Sequence, residues 1–213
     1  MTQFPLDEDL LDAVCADPAA GPRLRVWQPT RVAVVLGRAN KPEREVRLDV
    51  CRADGVPVLR RLGGGGAVVL GPGCLVVSLA RRVVRPTALA EHMGFAVEAI
   101  AGWVRGLGGP QLVTRSHGDL CAGERKVLGS SAFRRRDLFF YQGSLLVDLD
   151  LGLVERYLRH PSREPEYRRG RAHREFLSTL AIEGVTVEID ALARDLTLSL
   201  QKRLGEATPL DLP

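Results

Sequence analysis

Hydrophobic and polar positions repeat with two periods along the chain, and the changes of period outline its elements. Leu6, Leu10, Leu11 and Val14 recur at helical spacing and predict a short helix over 6–14, broken by Gly21-Pro22. Strand-like runs follow over 24–27 and 32–36, the second ended by Gly37. Residues 43–53 predict a helix with Val46 and Val50 inward, closed by Gly55, and 56–62 predict a strand leading into four glycines. Two further strands, 67–70 and 75–80, are separated by Gly71-Pro72-Gly73, a connection short enough to predict an antiparallel meander. Residues 87–107 fit one long amphipathic helix, opened by Pro86-Thr87 and closed by Gly108-Gly109.

In the second half, 112–115 is strand-like, and 126–133 and 138–147 predict strands joined by the basic turn Arg134-Arg135-Arg136-Asp137. A short helix over 152–158 stops at His160-Pro161, and 161–170 is polar and loop-like. Residues 171–180 predict a helix, 185–189 a strand, and 190–204 a final helix with Asp190 as N-cap. The sum is α+β, a mixed, largely antiparallel sheet flanked by helices. No repeat, low-complexity tail or linker interrupts residues 1–213, which are expected to form a single domain without an accessory carboxy-terminal one.

Composition changes this picture little. The 213 residues suffice for a sizeable core, and 45% are hydrophobic. The net charge of +4 sets 30 basic residues against 26 acidic ones, and of the basic residues only Lys41, Lys126 and Lys202 are lysines. Most of the arginines are expected to be solvated surface. The clusters 134–136 and 168–174 admit a second reading, as a dock for an acidic carrier domain or a grip on a triphosphate. Aromatic residues make up 5%, with no interleaved stacking platform, so nucleic acid is not an expected partner. Four scattered cysteines, no basic and apolar leader and no apolar run of spanning length predict a cytoplasmic chain without membrane association.

Two segments carry candidate chemistry. Arg60-Arg61-Leu62 precedes Gly63-Gly64-Gly65-Gly66, directly after one strand and before another. A hairpin needs only one or two glycines, whereas four allow the backbone to approach a ligand and aim several N–H groups at an anion. Adjacent strand residues point to opposite faces, so one of the two arginines is expected at the glycine site. The spacing from Gly66 to Gly71 suits a P-loop, but Pro72 stands where its lysine belongs. The second segment, 118–131, places Lys126 at a strand entry among arginines. A compact ammonium can sit between a carbonyl oxygen and a phosphate, where a planar guanidinium fits poorly. Gly129-Ser130-Ser131 beside it has little side chain, and Asp119 could help hold Mg2+ with substrate phosphates or cap a turn.

Together these residues resemble the lipoate–protein ligase and octanoyltransferase superfamily. RRLGGGGAVVLGPGCLVVS resembles its first glycine block, GDLCAGERKVLGSSAFRRR and YQGSLLVDLDL its second, and RYLRHPSREPEYRRGRAHREFL a segment of a small ligase subgroup. The resemblance implies a fold of the biotin/lipoate ligase catalytic-domain type, distantly like class II synthetases. It implies activation of lipoate or octanoate on ATP, with Mg2+, and transfer to a lysine of a lipoyl-domain carrier protein, with or without a separate accessory ligase subunit. Lys126 would be the catalytic contact to the acyl carbonyl and α-phosphate. Arg61, Gly64, Gly65, Gly66 and Ala67 would line the acyl and phosphate region. Asp119, Val127, Gly129, Ser130, Ser131, Gln142 and Gly143 would complete the site.

Two departures stand out. Gln142 replaces the family's usual histidine, and Leu70-Gly71-Pro72-Gly73 replaces the His-Asp of many ligases. The octanoyltransferases use a cysteine thioester, and here Cys121, near Arg125 and Lys126, is the candidate nucleophile for such an ATP-independent reaction. Cys15 and Cys51 are expected to be buried. A catalytically silent lipoate or carrier binder is a third reading, and biotin ligation a fourth, which the second block matches less well.

Overall fold

The computed structural model describes residues 6–17, 19–83, 89–116, 118–185 and 188–206. In chain order the strands are β1 (Arg23–Trp27), β2 (Ala33–Leu36), β3 (Val58–Arg60), β4 (Val68–Leu70), β5 (Cys74–Arg82), β6 (Leu112–Arg115), β7 (Asp119–Ala122), β8 (Arg125–Arg135) and β9 (Leu138–Leu146). The helices are α1 (Glu8–Ala16), α2 (Pro42–Glu45), α3 (Leu48–Ala53), α4 (Leu89–Gly106), α5 (Leu151–Tyr157), α6 (His173–Phe176) and α7 (Ile189–Glu206). Six strands make an antiparallel sheet in the order β1-β5-β9-β8-β7-β6, and three make a small mixed sheet, β3-β2-β4. This is the expected α+β architecture of a large antiparallel sheet flanked by helices. No helix among the described residues is long and apolar enough to cross a membrane.

The apolar run of β5 explains the layering. Its residues Cys74 to Arg81 are buried on both faces, as a central strand requires. Leu75, Val77 and Leu79 face the main core with Ile100, Trp103 and Val104 of α4 and Leu192, Leu196 and Leu200 of α7. On the other face, Ala80 packs with Leu10, Leu11 and Val14 of α1, and Val76 with Ala33, Val35 and Leu70 of the small sheet. Helices α4 and α7 thus cover one face side by side, while α1 and the small sheet flank the other. The gap between the two sheets is where the candidate site forms.

Several expectations are corrected, each by long-range pairing. Strands β4 and β5 do not form a meander, because β4 pairs with β2 and β5 with β1 and β9. The Gly71–Gly73 turn docks instead on the end of β9, where the Gly73 carbonyl accepts from the amides of Val147 and Asp148 at 2.9 and 2.8 Å. The helix expected over 43–53 breaks into α2 and α3. Val46 is extended and bridges Leu158, and the Arg47 amide donates to the Tyr157 carbonyl at 2.8 Å. Of 171–180 only α6 is helical. Beyond it Leu177 bridges Lys126, and the amides of Ser178 and Leu180 donate to the carbonyls of Lys126 and Leu146. Strand β7 had no sequence prediction. Cys51 is buried as expected, but Cys15 is exposed, because it follows Val14 off the inward stripe of α1. Asp190 lies inside α7 rather than ahead of it. The opening Pro86-Thr87 of the long helix, and Thr186-Val187 of the strand expected at 185–189, lie outside the described residues.

Ile100 has no exposure between α4 and the main sheet. Ile100→Ala should cost about 2–5 kcal/mol, through lost transfer energy and the cavity left behind. Urea unfolding checks this as a lower midpoint with an unchanged slope.

Candidate functional site

The site begins with a local defect in pairing. The register of β7 against β8 shifts between Leu120 and Cys121, and this irregularity sits beside Lys126 at the start of β8. Lys126 Nζ lies 2.8 Å from Asp119 Oδ1, with the two side chains 21% and 13% exposed. The other carboxylate oxygen accepts from Tyr167 Oη at 2.8 Å. Burial, and the Asp119 charge after it, raise the Tyr167 hydroxyl above the ordinary tyrosine range, so it stays a neutral donor. A Cβ on Gly129 would lie 3.0 Å from both Cε and Nζ of Lys126. The ammonium therefore rests over a strand position where a side chain would press on it.

Further along the same two strands, Gly129, Ser130 and Ser131 pair with Ser144, Gly143 and Gln142. This row of small residues forms a floor. Ser130 Oγ and Tyr141 Oη lie 2.8 Å apart, and a Cβ on Gly143 would come within 2.6 Å of that tyrosine oxygen. Gln142 Nε2 donates to the Leu6 carbonyl at 2.8 Å, so the amide that stands at the usual histidine position ties down the start of the described chain.

The two arginines of β3 and its end diverge as strand geometry requires. Arg60 donates from Nη1 to the carbonyls of Gly37, Arg38 and Asn40 at 2.9 to 3.0 Å. Arg61 is 8% exposed and donates from Nη2 to the carbonyls of Gly64 and Gly66 at 2.6 and 2.9 Å. Burial lowers its guanidinium to about 10, which leaves it charged at neutral pH. Because peptide groups are trans, carbonyls turned onto Arg61 leave the amides of Gly65 and Ala67 pointing away from it. Gly65 takes a φ of 90°, which a residue with a Cβ would resist.

These parts surround a cavity of about 880 Å³ between the sheets. One group of lining residues is apolar: Leu6, Trp27, Val35, Val68, Leu70 and Val76, all members of or packed on one cluster. Another is charged or polar and includes Lys41, Arg44, Glu45, Arg159, Ser162 and His173. This second group is tied together: buried Glu45 accepts from the Ser162 amide and hydroxyl, and His173 Nε2 lies 3.0 Å from the Arg159 carbonyl.

Of the residues singled out in the sequence, Arg61, Gly65, Gly66, Ala67, Asp119, Lys126, Gly129, Ser130, Ser131, Gln142 and Gly143 line this cavity. Gly64 offers only its carbonyl to Arg61, and Val127 turns the other way into the main core. Cys121 has no exposure. Burial pushes its thiol up, partly opposed by a hydrogen bond with Tyr167. Burial pushes Cys74 up to about 12.

The basic segment 168–174 is only partly internal: Arg168 is buried and Arg171 half-buried, while Arg169 and Arg174 are exposed. Arg168 and Arg171 stand 4.7 and 5.4 Å from the Phe176 ring centre, and each donates its Nε to the other's carbonyl at 3.0 Å. Tyr167, Leu6, Trp27 and Glu45 escaped the sequence reading. Tyr167 sits inside a quoted motif and had a usable signal, whereas the others reach the cavity only through tertiary packing.

Comparison with known proteins agrees with this geometry. The family profile described as the lipoyl protein ligase A/B catalytic domain matches residues 1–201. The chain belongs to that family, whose members are lipoate ligase-type enzymes. The bi-partite lipoate protein ligase of Thermoplasma acidophilum, solved in a study of that ligase and its E2 lipoyl domain, is 25% identical with a TM-score of 0.75. The match covers 88% of this chain and 72% of that one. Lipoate-protein ligase A bound with ATP is 26% identical with a TM-score of 0.73, over 88% and 74% of the two chains. A T. acidophilum structure with bound lipoic acid shares the fold, with a TM-score of 0.76 at 22% identity over 96% and 83%.

The thiols give a direct check. A raised pKa keeps a thiol neutral, and hence unreactive, to higher pH. At pH 8, iodoacetamide should alkylate exposed Cys15 well before Cys51, Cys74 and Cys121, as read by peptide mass spectrometry of the folded protein.

Proposed function

We propose that this chain activates lipoate or octanoate with ATP to an acyl-adenylate and transfers the acyl group to a lysine of a lipoyl-domain carrier. The observation that carries this reading is the Lys126 ammonium resting over Gly129, in a cavity that is apolar in one part and rich in donors in another. Asp119 holds that ammonium in place until a substrate oxygen competes for it.

The chemistry follows from charge. A carboxylate oxygen attacks the α-phosphorus and pyrophosphate leaves, so two anions must meet and need cations and N–H donors around them. Lys126 supplies the cation, and the amides of Gly65 and Ala67 supply donors from the loop that Arg61 shapes. Asp119 accepts one bond on each oxygen and keeps lone pairs free. Asp119 would thus help hold a Mg2+ brought by ATP, an ion usually bound through one or two carboxylates, substrate phosphates and several waters. Mg2+ would supply charge neutralisation of the phosphates. In the second step the carrier amine attacks the acyl carbonyl, AMP leaves, and the amine gives up a proton. Lys126 stabilises both the carbonyl oxygen and the departing phosphate. The apolar lining holds the tail, each buried methylene adding about 0.8 kcal/mol.

The carrier partner is inferred from the family. So is an accessory subunit, by analogy with the bi-partite T. acidophilum ligase. The four unpaired cysteines suit a reducing cytoplasm. A cysteine-thioester route finds no support at Cys121, which is buried away from the cavity lining.

Intact-mass spectrometry of a lipoyl domain, incubated with this chain, ATP, Mg2+ and either acid, tests the proposal. The domain should gain one acyl group and AMP should appear. Lys126→Ala should lower the rate about 100- to 1000-fold, as for loss of a donor to a developing oxyanion, and Cys121→Ser should leave it near wild type. Acylation that needs no ATP, or that survives Lys126→Ala, would overturn the reading.

A further inference from the structure

Leu6 and Trp27 both line the apolar part of the cavity, and both are tied to one buried acid, Asp7. Asp7 is 1% exposed and left-handed, with φ 57° and ψ 21°. It stands where an N-cap of α1 would, yet its side chain makes no capping bond. The carboxylate turns to the main sheet instead. It accepts from Arg25 Nη1 at 2.7 Å, Trp27 Nε1 at 2.6 Å and Ser78 Oγ at 2.7 Å. Left-handed backbone is disfavoured for a residue with a side chain and persists where its surroundings over-determine it. On the other side of Leu6, its carbonyl accepts from Gln142 Nε2 at 2.8 Å. Gln142 is itself paired with Ser78 on β5 and Ser131 on β8. Leu6 is thus pinned from both sides to three adjacent strands.

The floor between the ammonium and this clamp is short. Lys126 lies over Gly129, and Gln142 is paired with Ser131, two residues farther along β8 and so about 7 Å away. An acyl chain whose carboxyl group is at Lys126 runs along that floor, among Val35, Val68, Leu70 and Val76, towards Leu6 and Trp27. We propose that Leu6 is the end stop of the acyl slot, and that Asp7 is the positioning residue that fixes Leu6 and Trp27, so that the protein selects its acid by length. This rests on the function proposed above and adds what decides the substrate.

Calorimetric titration of the full chain with hexanoate, octanoate, decanoate, dodecanoate and tetradecanoate tests the idea. Wild-type affinity should rise about fourfold per methylene, the equivalent of about 0.8 kcal/mol, and then fall once the tail meets Leu6. Leu6→Ala should move the optimum to a longer acid and Leu6→Phe to a shorter one. Asp7→Ala should flatten the cut-off, because the stop is no longer held. The Leu6 pair keeps the test decisive if the Asp7 variant fails to fold. An optimum at the same acid in both Leu6 variants overturns the length stop and leaves the proposed function standing. A wild-type chain that binds none of the five acids overturns both.

Discussion

An ammonium held 2.8 Å from one carboxylate, above a strand residue that has no side chain, sets the demands on everything near it. A half-buried cation needs a partner, or its charge is costly to desolvate. Asp119 is that partner, and Tyr167 steadies Asp119 from the far side. The partnership has to be breakable, since a substrate carboxylate or phosphate must take the place of Asp119. Partial exposure of both side chains keeps the pair weaker than a buried one would be. Gly129 and the serines after it leave room for the incoming group. A larger residue there would push the ammonium off its position before any substrate arrived.

The second half of the site is organised by a cation that is bonded to the backbone of its own loop. Arg61 is buried against the carbonyls of Gly64 and Gly66, so its charge acts on the shape of the loop. Glycine gives that loop its reach, and the guanidinium removes its freedom. The same logic recurs in 161–176. There Arg168 and Arg171 lace the chain to itself around Phe176, which brings Tyr167 to Asp119 and Leu177 to Lys126. Of the arginines in the two basic clusters, Arg168 and Arg171 are backbone clamps, whereas Arg134, Arg135, Arg136, Arg169 and Arg174 are exposed.

The sequence by itself determined the α+β class, the long helix α4, the β8–β9 hairpin and the family, because each rests on local periodicity or on a contiguous motif. It singled out Lys126, Asp119 and Arg61 as well, since a lone lysine among arginines and a run of four glycines stand out without a structure. Only the tertiary structure decided which strands pair across Gly71–Gly73, where the helix after residue 42 breaks, and that 177–181 runs beside strand ends. Backbone groups there find partners more than a hundred residues away in sequence, in some cases, and local propensity is too weak to oppose that. The same holds for Leu6 and Asp7. Their types are unremarkable in the sequence, and their roles arise from what lies opposite them, which depends on the packing of the whole chain.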